Sequence, residues 1–463
     1  MRPWLAVLLG ACSAPHPAAI GDAASAPDAR ASDARVADAD LSGATDVPVV
    51  PCTDSDAAVY AATPRAGAPL GTILACARDA ELDVAAVQAA IGSGVTATSG
   101  VAQYVIAYQT RDGDGGPAVS TARVYLPHVP RARPVPLAVA AHGSVGLADS
   151  CAPSTAADNS LPMPYAGTGI AAIAPDLAGL GNAGTQDYLD NRAQGWQLLD
   201  GARALRALLP PGLTAPQLIL AGYSQGGGAV LSAQALIGAD GPDAGQLVAT
   251  VAFAPEWPIA LGSFDYVGML DDPTQLTISA GLSYSSVAVL RQYAFFENHV
   301  GAGTGKLSVP AQFQGSIDNA VDSNCLVAFG AYVQLQMLHT GDLIDGTLRT
   351  GLLSCIGAQG CDGNASAYYN FLLANDLSSD PHAGPVLLVQ GLLDQIMPAG
   401  QNAACIRDKL VSWGVATSAC AFAASDHTDI MDQHATGVVW AEAELDGVPP
   451  PACPETTALP ACQ

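Results

Sequence analysis

The chain has 463 residues; half are apolar, 13% are charged, and 42 acidic against 17 basic side chains give a formal charge of −25 at pH 7. That length and apolar content allow a large core and more than one domain. The acidity excludes a phosphate-binding surface, so no nucleic-acid partner is expected.

Met1 to Ala11 carries one arginine and then the apolar run Trp4 to Leu9, the pattern of a short export signal. Leu9-Gly10-Ala11-Cys12 looks like a bacterial lipobox, in which Cys12 becomes a lipidated N-terminus of an outer-membrane or cell-surface lipoprotein; ordinary secretion with cleavage nearby is the alternative. Residues 12–51 are rich in Ala, Asp, Ser and Pro and hold almost no large apolar side chains, so they read as a disordered tether. No other stretch is long and apolar enough to span a membrane.

Folded structure is expected from about Cys52. Gln103–Thr110 and Ser120–Leu126 alternate like two antiparallel strands. Between them Asp112-Gly113-Asp114-Gly115 has the start of a calcium loop but lacks the later ligands of an EF-hand, and a hairpin turn is the preferred reading. Val135–Ala141 reads as a buried strand running into His142-Gly143-Ser144-Val145-Gly146, and Gly169–Asp176 as another. Arg192–Leu209 has helical spacing, with Trp196, Leu199, Leu205 and Leu208 as inner positions. A short strand, Gln217–Ala221, then leads into Gly222-Tyr223-Ser224-Gln225-Gly226 and a helix, and Leu247–Ala254 is the next strand. Strands alternating with helices predict an α/β fold with a mainly parallel sheet covered on both faces.

Beyond Pro255 the pattern turns helical, most clearly over 284–299 and 325–339, and aromatic residues gather: Trp257, Phe264, Tyr284, Phe295, Phe296, Phe329 and Tyr368 among them. This stretch, 256–383, reads as an inserted helical cap whose aromatics mostly form its own core. Strand character returns at Pro385–Gly391, followed by Asp394, a helix over about 401–413, a strand at Ala419–Phe422, the loop containing His427, and a last helix over about 436–445. The expected division is therefore a catalytic domain, 52–255 with 384–450, the cap, and a cysteine-containing tail, 451–463.

Strand, G-x-S-x-G, helix is the context in which a serine stands on a sharp turn as a nucleophile. Ser224, Asp394 and His427 follow in chain order, each just beyond a strand, with 33 residues from acid to histidine. They are the candidate nucleophile, orienting acid and base. The amide of Gln225, at a helix N-terminus, and that of Ser144, with Val145 as the alternative, are the candidate oxyanion donors. His434 is a rival base, set at the start of the last helix. Asp426 is a rival acid, but adjacency to His427 keeps it from reaching behind the ring. His142 reads as a residue that holds its own loop. No metal and no organic cofactor are expected.

Eleven cysteines are present; with Cys12 set apart, ten remain, an even number that suits an oxidising compartment. Cys355/Cys361, Cys405/Cys420 and Cys453/Cys462 are close enough in sequence to be loop staples. Cys52, Cys76, Cys151 and Cys325 would pair among themselves in one of three ways.

The chain resembles the secretory lipases of the α/β-hydrolase superfamily, typified by secreted fungal enzymes and also seen in actinobacteria. The matching pieces are His142-Gly143-Ser144 with Cys151-Ala152-Pro153-Ser154, Asp176-Leu177-Ala178-Gly179-Leu180-Gly181, Gly222-Tyr223-Ser224-Gln225-Gly226-Gly227, the G-x-x-D-x-x-x-P around Asp394, and the late His427. The resemblance implies a Ser/Asp/His triad, a helical cap inserted before the acid strand, carboxylic-ester substrates, and a disulfide from Cys151 to Cys325. The leader, the extra cysteines and the acidic composition depart from it. An exported serine ester hydrolase is thus the expected function. A surface-anchored binding module that no longer turns over, or an acyltransferase or peptidase using the same triad, are the alternatives.

Overall fold

The apolar runs assemble into one sheet of nine strands in the order β1-β2-β3-β5-β4-β6-β7-β8-β9. They are β1 (Ile73–Leu82), β2 (Val101–Arg111), β3 (Pro117–Pro127), β4 (Val135–Ala141), β5 (Ala171–Pro175), β6 (Thr214–Tyr223), β7 (Gln246–Phe253), β8 (Val386–Gly391) and β9 (Thr417–Phe422). β1, β2, β3 and β5 pair antiparallel, and from β5 through β4 to β9 every pair is parallel. The computed structural model describes residues 48–156, 160–257, 272–274, 276, 282–357, 360–455 and 457–463. The leader, Cys12, the tether up to residue 47, Phe264 and the side chain of Tyr284 lie outside these residues.

The central strands are apolar throughout because both faces are buried. In β4, Val135, Leu137, Val139 and Ala141 enter the core on one face, while Ala138 and Ala140 enter the core on the other. The first face is covered by the helices Asn191–Leu208, Gln225–Asp240 and Ala403–Ser412, and the second by Val84–Ile91, Pro162–Gly167 and His434–Asp446. This is the α/β-hydrolase architecture expected from the sequence. Trp196 is the exception among the inner positions: it is half-buried, with Arg111 stacked over its ring and its indole donating to Asp240 at 3.2 Å.

Between β7 and β8 the described residues form no strand of the sheet, and their α-helices are Leu282–Phe295, Gln314–Ser323, Leu326–Gln336, Gly346–Ile356 and Gly363–Ala374. They bury two cores, one around Val289, Phe329 and Val333 that also takes in Leu147, Tyr188 and Leu189, the other around Phe295, Phe296 and Tyr368. Among the described residues no helix is long and apolar enough to cross a membrane.

Five disulfides join Cys52–Cys76, Cys151–Cys325, Cys355–Cys361, Cys405–Cys462 and Cys420–Cys453. The staples expected at Cys405/Cys420 and Cys453/Cys462 are therefore incorrect. Cys405 rides on a helix whose Ile406 and Leu410 pack on one face of the sheet, whereas Cys420 belongs to the core of the opposite face. Separation by the sheet overrides nearness in sequence, and the C-terminal tail reaches each cysteine in turn.

Candidate active site

The elbow after β6 fixes the position of Ser224. Its backbone lies at φ 53°, ψ −114°, a strained conformation for a side-chain-bearing residue. The turn is so tight that a Cβ on Gly222 would collide with the Gly226 carbonyl, and one on Gly226 with the Ala141 carbonyl. Neighbouring strands hold the strain in place: the Ser224 amide donates to Phe253 O (2.9 Å), and its carbonyl accepts from Gly228 N (3.1 Å) and Glu256 N (2.9 Å). Gln225 begins the helix Gln225–Asp240, so its amide belongs to the unpaired first turn.

Parallel pairing brings the other groups to the same end of the sheet. Ala141 pairs with Gly222, and Gly391 with Phe422, so the loops carrying Ser144, Ser224, Asp394 and His427 all leave one edge. Asp394 and His427 come from neighbouring strand ends. Ser224 Oγ lies 2.9 Å from His427 Nε2, and His427 Nδ1 lies 2.7 Å from Asp394 Oδ2. A carboxylate only accepts, so the geometry selects the tautomer protonated on Nδ1. The three residues are 8%, 7% and 4% exposed in the order Ser224, His427, Asp394. Asp394 is oriented by Ile396 N and Met397 N on Oδ1 (2.8 and 2.7 Å) and by Gln390 Nε2 on Oδ2 (3.0 Å).

The rivals sit elsewhere. His434 opens the last helix, with its ring nitrogens on Met431 O and Ile91 O. Asp426 is exposed and accepts from Thr428 N and Asp429 N, which holds its carboxyl below the usual range. His142 has Nδ1 2.6 Å from Gly143 O and Nε2 3.1 Å from Asp176 O, the loop-holding arrangement expected of it. Asp176 is fully buried, and burial pushes its carboxyl up; it accepts from Ser154 N and Oγ and from Thr121 Oγ1. The Asp176–Gly181 segment thus acts as a brace for the loops around the site.

The loop carrying Ser144 is tied to the helical stretch. Leu326 N donates to Val145 O at 2.7 Å, and Cys151 is bonded to Cys325. Ser144 Oγ accepts from the Tyr188 hydroxyl at 2.7 Å.

Four residues were missed in the sequence. The Tyr223 ring lies tilted against the His427 ring, centroids 5.3 Å apart, and its hydroxyl donates to His427 O at 2.9 Å. Burial and the nearby Asp394 push its phenol up to about 12, so it remains a donor. Gln390 orients Asp394, and Tyr188 orients Ser144. Glu256 follows β7 directly behind the elbow; burial pushes its carboxyl up to about 7, opposed by Arg291, whose Nη1 is 4.0 Å away. Of these, Tyr223 alone stood inside a motif; the rest carry no local signal.

No family model matches the chain, and no curated protein matches it either. Solved structures do. Candida antarctica lipase A in its closed state superposes with a TM-score of 0.62 at 16% identity, covering 87% of this chain and 89% of that one. The rice cell wall degrading esterase LipA from Xanthomonas oryzae superposes with a TM-score of 0.63 at 17% identity, covering 82% of this chain and 100% of that one. The α/β-hydrolase fold is thus shared with lipases and esterases almost end to end.

Proposed function

We propose that the chain is an exported serine carboxylic-ester hydrolase of the lipase or esterase type, with Ser224, His427 and Asp394 as its triad. The hydrogen-bonded run from Ser224 Oγ through His427 to Asp394 carries this reading, on a strained elbow at the end of a parallel sheet. His427 takes the Ser224 proton as Oγ attacks the ester carbonyl, and returns it to the leaving alcohol. Water then attacks the acyl-enzyme by the same route, restoring the serine and releasing the acid. Asp394 holds the imidazole tautomer and stabilises its charged form. The amides of Gln225 and Ser144 bind the oxyanion, each worth about 3 kcal/mol of barrier. The aromatic-rich helical insertion is read as a cap over the acyl site.

Export is supported by the leader and by five disulfides, which persist in oxidising compartments. Cys12 is the proposed lipid anchor. The deciding experiment is hydrolysis of p-nitrophenyl esters from C2 to C16, and of emulsified triglyceride, by the wild type and Ser224→Ala. Ser224→Ala is expected to lose about 10⁴-fold or more of kcat with the fold intact. Activity rising with chain length and persisting on the emulsion means a lipase; activity confined to short esters means an esterase. Silence on every ester, with no fluorophosphonate labelling, refutes the reading in favour of a binding module.

A further inference from the structure

A second cluster of ionisable groups gathers where the β2–β3 turn meets the loop before the helix Asn191–Leu208 and the helical insertion. Ligand atoms of Asp187, Asp190 and His299 all lie within 4.8 Å of one another. The two carboxylates are buried, at 4% and 6% exposure. Asp187 accepts from Asn298 Nδ2 on Oδ1 (2.9 Å) and from Gly113 N (3.0 Å) and Gln197 Nε2 (3.2 Å) on Oδ2. Asp190 accepts the Ala193 amide on Oδ1 at 3.1 Å. Its Oδ2 accepts no hydrogen bond among the described residues and faces His299 Nε2 at 3.8 Å.

Two further observations turn the cluster into a site. First, a Cβ on Gly113 would stand 2.9 Å from Asp190 Oδ2, 3.1 Å from Asp187 Oδ1 and 3.1 Å from His299 Cε1. Glycine therefore lets the three groups close round the turn, where any side chain would push them apart. Second, His299 Nδ1 lies 3.2 Å from Asp114 Oδ1. A proton donated from Nδ1 to Asp114 turns the Nε2 lone pair towards Asp190, the carboxylate–histidine–metal arrangement that fixes a ligating imidazole. A cavity of about 330 Å³, lined in part by Gly113, Asp187 and His299, adjoins the cluster and can supply water ligands.

The geometry points to a binding site for a divalent transition-metal ion held by Asp187, Asp190 and His299. Two carboxylates and an imidazole suit Zn²⁺ or Mn²⁺; Ca²⁺ prefers six to eight oxygens. The Asp112–Gly116 turn contributes the close approach at Gly113 and the orienting Asp114, while the ligands come from far along the chain. The ion is structural in role. His299 belongs to the helical insertion, and the aspartates belong to the loop that sends Tyr188 to Ser144 and Gln186 Nε2 to Asp176 O (3.2 Å). A metal there would clamp the insertion onto the loop that positions Ser144.

The test uses the full chain, stripped with EDTA and titrated with Zn²⁺ by calorimetry, with elemental analysis of the dialysed product. One Zn²⁺ per chain, with a Kd in the micromolar range or tighter, is expected. At a hundredfold excess over Kd the melting temperature should rise by about 3 °C. Asp190→Asn and His299→Gln should each weaken binding at least about 100-fold, and Asp114→Asn about 10- to 100-fold. Gly113→Ala should push the groups apart and abolish binding with every ligand still present. Variants that melt within about 2 °C of the metal-free wild type establish that the fold survives. The zinc X-ray absorption spectrum of the wild type reads the ligands without any mutation, and a shell of oxygen with one imidazole is expected. Absence of stoichiometric binding, indifference to Asp190→Asn and His299→Gln, a sulfur-containing or all-oxygen shell, or displacement of Zn²⁺ by equimolar Ca²⁺ would overturn the assignment.

Discussion

Replacing Cys151 and Cys325 together by serine should cost both stability and turnover. The bond closes a loop of 174 residues. In the chain-entropy model its loss frees the unfolded chain by about 5 kcal/mol, a ceiling that residual structure in the unfolded chain lowers. By their number the described residues have an unfolding entropy of about 0.8 kcal/mol per kelvin. The expected fall in melting temperature is therefore about 3 to 6 °C by scanning calorimetry. The functional effect is local. Residues 142–151 are held to the helix Leu326–Gln336 by this bond and by the 2.7 Å bond from Leu326 N to Val145 O. With the covalent tie gone, the Ser144 amide should lose registration with the oxyanion, and about 1.4 kcal/mol of lost stabilisation is a tenfold fall in kcat on p-nitrophenyl butyrate. Fluorophosphonate labelling should persist, because Ser224, His427 and Asp394 are untouched. A variant that melts within 1 °C of the wild type and keeps its kcat would refute the reasoning.

Tyr223→Phe removes the donor to His427 O while keeping the ring contact. A net bond of about 0.5 to 1.5 kcal/mol predicts a threefold to tenfold loss in kcat with KM unchanged, and a loss seen only in KM would contradict the positioning role. Glu256→Gln tests the buried carboxyl. Its folded value, about 7, lies above the ordinary value of about 4.5, so its contribution to stability is fully present below pH 4.5 and is lost as pH rises through 7. The loss is at most roughly 3 kcal/mol. Glutamine mimics the protonated form, so the variant should gain on the wild type in melting temperature at pH 8 and match it near pH 4.5; a constant difference across that range would refute the assignment.

What was legible in the sequence follows from burial on both faces. β4 and β6 are apolar at every central position, and such runs stand out against the polar loops that follow them. Ser224, Asp394 and His427 could be placed because each comes just after such a run. β1 was missed because it is an edge strand whose second half is polar: Arg78 pairs with Glu81, and Asp79 reaches Arg123. β2 and β3 were visible as alternation, yet Gln103, Thr110, Ser120, Thr121 and Arg123 are buried as well. Their polar side chains bond across the fold, as Thr110 does to Asp200 and Arg123 to Gln103 and Ser154 O, and no local pattern announces that. Asp187 and His299 show the same limit over 112 residues of chain. Their meeting depends on how the insertion folds back, which periodicity does not encode.

The backbone itself marks where the described structure bears strain for a purpose. Among the described residues four non-glycine residues have positive φ: Leu177 (73°), Leu189 (56°), Ser224 (53°) and Ala254 (40°). Each costs about 1 kcal/mol or more and persists only where its surroundings over-determine it. All lie in segments that follow strands of the parallel part of the sheet. Leu177 follows the buried Asp176, and Ala254 is bonded to Val389 O two residues before the Glu256 amide that supports Ser224. Leu189 sits between Tyr188, which turns to Ser144, and Asp190, which turns to His299. A regular turn would send these neighbours along one path; the left-handed residue sends them to two different sites. Disorder in that loop should therefore disturb the oxyanion side of the active site and the proposed metal site together, whereas removal of Ser224 Oγ should leave metal affinity unchanged.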